Sequence, residues 1–306
     1  MSGFINNYYY GKAGKADYTP DQLPSNRVQL FFEMLRIRFS GLIGVNLLYL
    51  LFCLPAIVWT MLNVAVLNAS VTQDATGAVS SSFMMDGTMF MYLLIMVPCL
   101  VIAGIGAPGE MYILRNWARD QHAFVLSDFK EKIKENWKCG ALAGLINGLS
   151  LLVTFVCYIY YGQMSQQNML FLLPQMLVIV FCALWWMMNM QIFTMMVTYQ
   201  MTFRQMVRNS AIMTLARLPW ALLFFLGSLA VPFVLIFFVP YGELICILLY
   251  LLIGFALTGF VYASFSISCF DRYLNPRIEG APVNMGLRDP ELDDDDDDME
   301  DPNPLT

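Results

Sequence analysis

Three glycines, Gly104, Gly106 and Gly109, spell G-x-G-x-x-G, and Asp128 follows 19 residues after the last of them. That pattern holds a dinucleotide pyrophosphate only when a strand precedes the glycines and a helix N-terminus follows. Here Met89 to Ala103 is too long and too rich in Met and Leu for one strand, and none follows the stretch after Glu110. The residues favour a flexible break near the end of a membrane span, where the glycines permit a turn and Pro108 removes a backbone donor.

A second pattern is a stripe of neutral polar groups. Gln191, Thr194, Thr198, Thr202 and Gln205 are spaced 3, 4, 4 and 3, so one helix would carry them all on a single face. In hydrocarbon such groups pair across helices or line a wet path, and interhelical hydrogen bonding is the favoured reading. Met187, Met188, Met190, Met195 and Met196 beside them suit adaptable packing better than a metal, because thioethers alone select only a soft cuprous ion. The seven cysteines stand singly, without the spacing of a metal site or a disulfide framework. His122 is the only histidine and lies in a polar loop. Glu110 and Glu243 fall near opposite ends of apolar runs. No enzymatic activity, cofactor or metal is expected from this inventory.

The elements that carry these residues are set by composition. Of 306 residues, 58% are hydrophobic and only 13% charged, against about 25% charged in a soluble domain; mean hydropathy is +0.59. Charge-free runs near Phe39 to Leu67, Thr88 to Leu114, Gly140 to Tyr161, Leu170 to Gln200, Leu218 to Val239 and Leu244 to Cys269 can each cross a hydrocarbon core about 30 Å thick. The expected fold is all-α: a polytopic membrane bundle of six transmembrane helices over residues 39–270, flanked by an N-terminal segment, 1–38, and an acidic tail, 271–306. The uncharged stretch from Asn168 to Phe203 is too long for one span and must tilt or project.

All 17 basic residues fall in residues 1–38, 115–138, the connection after the fourth span, or the tail, while the loops at 68–87, 162–168 and 240–243 hold none. That alternation predicts a cell-membrane protein with both termini cytoplasmic. With 38 residues before the first span no cleaved secretory signal is expected, and that span is expected to remain as an anchor. The tail, with an unbroken run from Asp293 to Asp298 among prolines, is expected to be disordered, and removing residues 287 to 306 should leave the bundle intact.

Gly140, Gly144 and Gly148 line one face of the third span and predict a close helix contact inside the bundle. Before it, Asp128 and Glu131 resemble a capping box, and Phe129, Ile133 and Trp137 repeat every four residues with Lys130, Lys134 and Lys138 to one side. This predicts a short amphipathic cytoplasmic helix, Asp128 to Lys138, lying on the inner leaflet. Phe203, Val207, Arg208 and Ser210 echo its spacing and hint at an internal repeat.

At two blocks the chain resembles the YesL-like family of bacterial integral membrane proteins, a domain of unknown function. One runs from Phe31-Phe32 to Asn46-Leu47-Leu48 and Leu54-Pro55. The other is Gly106-Ala107-Pro108, Leu114-Arg115-Asn116, His122-Ala123-Phe124, and Ser127-Asp128-Phe129 to Asn136-Trp137-Lys138. The resemblance makes Asn46, Pro55, Gly106, Pro108, Arg115, Asp128, Phe129, Asn136 and Trp137 the candidate motif residues, and it covers roughly residues 31 to 138. It implies a carbohydrate-uptake context. The expected function is an accessory or assembly component with the lipid bilayer and transporter subunits as partners and no nucleic acid; the alternative is a permease that moves a small solute itself.

Overall fold

Inside a bilayer every backbone polar group must be paired within its own segment, so uncharged apolar runs of this length have one economical conformation, the α-helix. The computed structural model describes residues 23–70 and 82–288, with side chains described for 23–64 and 87–288, and its regular structure there is helical. Six helices are long and apolar enough to cross a membrane: Phe39–Val64, Gly87–Trp117, Val125–Ser165, Met169–Met196, Leu218–Phe238 and Gly242–Arg277. The protein is an all-α, multi-pass membrane bundle. The hexa-aspartate run, Lys12, Lys15 and residues 71–81 of the first loop lie outside the described residues.

Helix α1 (Arg27–Ile37) starts at Asn26, whose side-chain oxygen accepts from the amides of Val28 and Gln29. Helices α2 (Phe39–Ser70) and α3 (Ser82–Trp117) form an antiparallel pair. Helix α3 runs unbroken through Pro98 and Pro108, so the flexible break expected at the glycines is absent. The glycines are packing positions instead. A Cβ on Gly104 would lie 2.4 Å from the carbonyl of Gly140, and one on Gly144 would lie 2.3 Å from that of Leu100. This seam joins α3 to α4 (Val125–Ser165), the most extensive helix pair in the bundle. The close contact predicted for the third span is therefore made within the chain.

The structure corrects the amphipathic element in the second connection. Residues 128–138 are helical, but they are the leading turns of the 41-residue α4, which at about 1.5 Å per residue is roughly 60 Å long and stands well out of a bilayer. Nothing between Lys138 and Gly140 stops the helix, since the glycine that looks like a break is required for the approach to Gly104. The helix also begins earlier than the Asp128 cap predicts: Phe124 is the N-cap, and the Asp128 carboxylate accepts from its amide at 2.9 Å. Phe129 is buried and Ile133 packs beside it, whereas Trp137 is 48% exposed. Eight residues at about 100° each leave an 80° drift, which turns Trp137 off the shared face. Trp137→Ala is accordingly expected to change thermal stability in detergent by no more than about 0.5 kcal/mol. A loss several times larger would return the ring to the packed face.

Helix α5 (Leu172–Met196) ends early, which resolves the over-long uncharged stretch: a turn follows, and α6 (Phe203–Ala216) is a separate amphipathic helix burying Met206, Ser210, Met213 and Thr214. It stops before Pro219, at the second position of α7 (Leu218–Phe238), because the proline has no N–H to continue the ladder and its ring obstructs the turn above. The free-standing amphipathic helix thus sits in the fourth connection. The last span has three parts: α8 (Gly242–Leu249), a π-helical turn over Tyr250–Gly254, and α9 (Phe255–Tyr273).

Order also continues past residue 271. Arg27 donates to the carbonyl of Met285 at 2.9 Å, the amide of Arg288 donates to that of Pro24 at 3.1 Å, and Leu287 packs on the core. Deleting residues 287 to 306 would therefore also remove the Leu287 packing and the Arg288–Pro24 bond, which a truncation after residue 288 keeps.

Candidate functional site

The basic residues of the described chain gather at one end of the bundle, and two polar features are built there. The first is a clasp. Arg27 of α1 pairs with Asp271 of α9 at 2.5 Å and also donates to the carbonyl of Ala118 at 3.1 Å. The second oxygen of Asp271 accepts from Asn275 at 2.8 Å, and the Asn275 side-chain oxygen in turn accepts from the hydroxyl of Tyr199, on the turn after α5. Arg119, only 7% exposed, faces Tyr199 as well. Burial pushes the Tyr199 phenol up to about 12, so it keeps its proton and stays a donor. The clasp ties α1, the end of α3, the α5–α6 turn and the chain after α9 into one base.

The second feature is a cavity of about 300 Å³ between α4 and the α5–α6 turn, lined among others by Lys132, Glu135, Asn136, Thr198 and Tyr199. Lys132 bonds Glu135 at 2.8 Å and lies 5.0 Å over the ring of Tyr112, on which Arg115 also rests at 4.8 Å. Asn136 donates to the carbonyl of Lys132 at 3.2 Å. The walls thus present an amide, a hydroxyl and a neutralised ion pair, which suits a polar uncharged group better than a bare anion.

The predicted residues are partly brought together. Asn136 and Thr198 meet in this cavity, with Arg115 one ring away. Gly106 and Phe129 converge on Phe52: a Cβ on Gly106 would lie 2.5 Å from that ring, and the Phe52 and Phe129 rings are 6.1 Å apart. Pro108 lies against the seam at Gly140. Pro55 is half-buried inside α2, and Trp137 stands exposed.

The stripe does not survive as one face. Gln191 and Thr194 are fully buried in α5, and Thr198 bonds back to the carbonyl of Thr194 beyond the helix end. Thr202 and Gln205 instead form the capping box that starts α6. S/T-x-x-Q is a helix-start signature in its own right, so the sequence held the signal that divides the stripe.

Asn46 does not line the cavity and is fully buried. Its amide donates to the carbonyls of Tyr250 and Leu251 at 3.1 and 2.9 Å, and its oxygen accepts from the amide of Ala256 at 3.1 Å. Its three bonds all go to backbone groups in or directly after the π-helical turn, tying that irregular stretch to α2.

The clasp and the Asn46 contacts were missed at the sequence level. Asp271, an acid closing an apolar run, was the available signal for the first. Glu110, placed by sequence near an interface, is only 4% exposed within α3; its Oε1 has no hydrogen-bond partner, and it faces Gly259 of α9.

Comparison with known proteins finds no matching family model, curated protein or solved structure.

Proposed function

We propose that the chain is a non-enzymatic accessory or assembly component of a carbohydrate-uptake system in a bacterial cell membrane, with its basic end and both termini in the cytoplasm. The YesL-like resemblance supplies the uptake context, and the basic-residue alternation supplies the orientation. The observation that carries the accessory reading is the contrast between the two polar regions. Gln191 and Thr194, which could have lined a route through the bundle, are fully buried, whereas the cavity holding Asn136 and Thr198 is formed at the basic end on a clasped base. A rigid polar surface at one end suits docking better than passage.

Purification in mild detergent with mass spectrometry of the eluate tests this. Transporter subunits should co-purify, and their absence together with solute uptake by the lone protein in liposomes would reverse the reading. Reporter fusions test the orientation: those after residues 80 and 165 should read external and those after 125, 210 and 285 internal. An internal signal at residue 80 would defeat it.

One observation favours the alternative, a permease. Glu110 puts a carboxyl with an unpartnered oxygen inside a span, and ionisable groups at such positions commonly mark solute or proton pathways.

A further inference from the structure

The described residues contain 15 of the 17 basic side chains, and by the run of the helices these lie at one end of the bundle. Seven acidic residues, Glu33, Asp120, Asp128, Glu131, Glu135, Asp271 and Glu279, belong to the same segments, leaving that end with an excess of eight positive charges. The excess is presented outward. Lys130 and Lys134 on α4, Arg204 and Arg208 on α6, and Arg272 and Arg277 at the end of α9 are all exposed. None of these six forms an ion pair among the described residues, where Glu131 and Glu135 pair with Lys132 and Asp271 pairs with Arg27.

Residues 289–306 carry ten acidic side chains and no basic one, six of the acids in the unbroken run Asp293 to Asp298. The described chain delivers this segment to the basic end itself. Met285 accepts from Arg27, a Cβ on Gly286 would lie 2.9 Å from the carbonyl of Arg119, and the amide of Arg288 bonds Pro24. Asp293 is five residues beyond Arg288 and therefore within about 18 Å of it; Asp298 is within about 36 Å. A partner tethered on so short a leash reaches an effective concentration in the millimolar range.

We propose that the acidic segment Asp293–Asp298 folds back onto the basic end of its own bundle, contacting Lys130 and Lys134 of α4 together with the arginines of α6 and the end of α9. The contact is a many-charge, exposed association held by complementarity and tethering. It occupies the same side chains that an anionic lipid surface or an acidic partner would use, so tail and external anion exclude one another. It stands on charge and chain path alone and does not depend on the accessory reading.

A zero-length carbodiimide, which couples a carboxylate to a lysine only at contact, tests it on the full chain in neutral detergent. Mass spectrometry should find cross-links from the Asp293–Asp298 segment to Lys130 or Lys134, with the Lys132–Glu135 pair, 2.8 Å apart, as the internal positive control. Raising salt from 0.1 to 1 M shortens the screening length from about 10 to about 3 Å, so the tail cross-link should fall at least about five-fold. Replacing Arg204, Arg208, Arg272 and Arg277 together with Gln should lower its yield several-fold, although no arginine couples to the reagent. Absence of the tail cross-link while the control forms would overturn the proposal, as would a yield indifferent to salt. Cross-links found only between isotopically distinct chains would also overturn it. So would protection of Lys130 and Lys134 that requires an acidic phospholipid and comes without a tail cross-link.

Discussion

Gly140→Val and Gly144→Val should each cost about 3 kcal/mol of bundle stability, the upper end for forcing volume into a packed interior. A Cβ at Gly140 would stand 2.3 Å from the carbonyl oxygen of Gly104, and one at Gly144 equally close to that of Leu100. In both cases the obstruction is backbone in a long helix, which cannot step aside as a side-chain tip can. The two helices would have to separate along their largest shared face, with loss of the dispersion contacts that hold apolar helices together in lipid. Gly44 is the control. Nothing lies within 4 Å of its added Cβ, so Gly44→Ala should leave stability unchanged or raise it by up to about 1 kcal/mol through helix propensity. Thermal unfolding in one detergent, read by near-ultraviolet circular dichroism, separates the pair from the control. If the valine variants unfold with the wild type, the seam is not a close-packed interface.

The same glycines show where sequence reading succeeds and where it stops. Their four-residue spacing implied close approach, and hydropathy placed all six spans, because both depend on what one helix does alone. Boundaries failed where a local pattern has two meanings. Gly140 reads as a stop until the partner backbone is known, and Thr202 with Gln205 extends a stripe until the turn at Met196 makes them a cap. The clasp was out of reach, since Arg27 and Asp271 are 244 residues apart and nothing near either names the other. A polar residue inside a hydrophobic run calls for a partner without naming it, and Glu110 and Gln191 show that the partner need not be supplied within the bundle.

Asn46 is the sharpest case of that limit and carries the second large effect. A π-helical turn takes backbone groups out of the regular ladder, and in a membrane each must find another partner. Asn46 supplies three bonds, two as donor to Tyr250 and Leu251 and one as acceptor from Ala256, while itself fully buried. Interhelical hydrogen bonds in membranes average only about 0.6 kcal/mol, but that average describes pairs whose members find new partners. Asn46→Leu keeps the volume and removes all three bonds at once from a buried, irregular stretch of backbone, so a loss of about 2 to 4 kcal/mol is expected. Asn46→Asp retains the acceptor for Ala256 but turns carboxylate oxygens toward the carbonyls of Tyr250 and Leu251, and should be no better tolerated. Local exchange distinguishes this from general loosening. Backbone amides from Tyr250 to Ala256 should exchange at least about ten-fold faster in Asn46→Leu, while those of the α3–α4 seam change little, because they belong to a different helix pair. Equal protection of residues 250–256 in variant and wild type would mean the π-helical turn holds itself, leaving Asn46 a passive neighbour in the core.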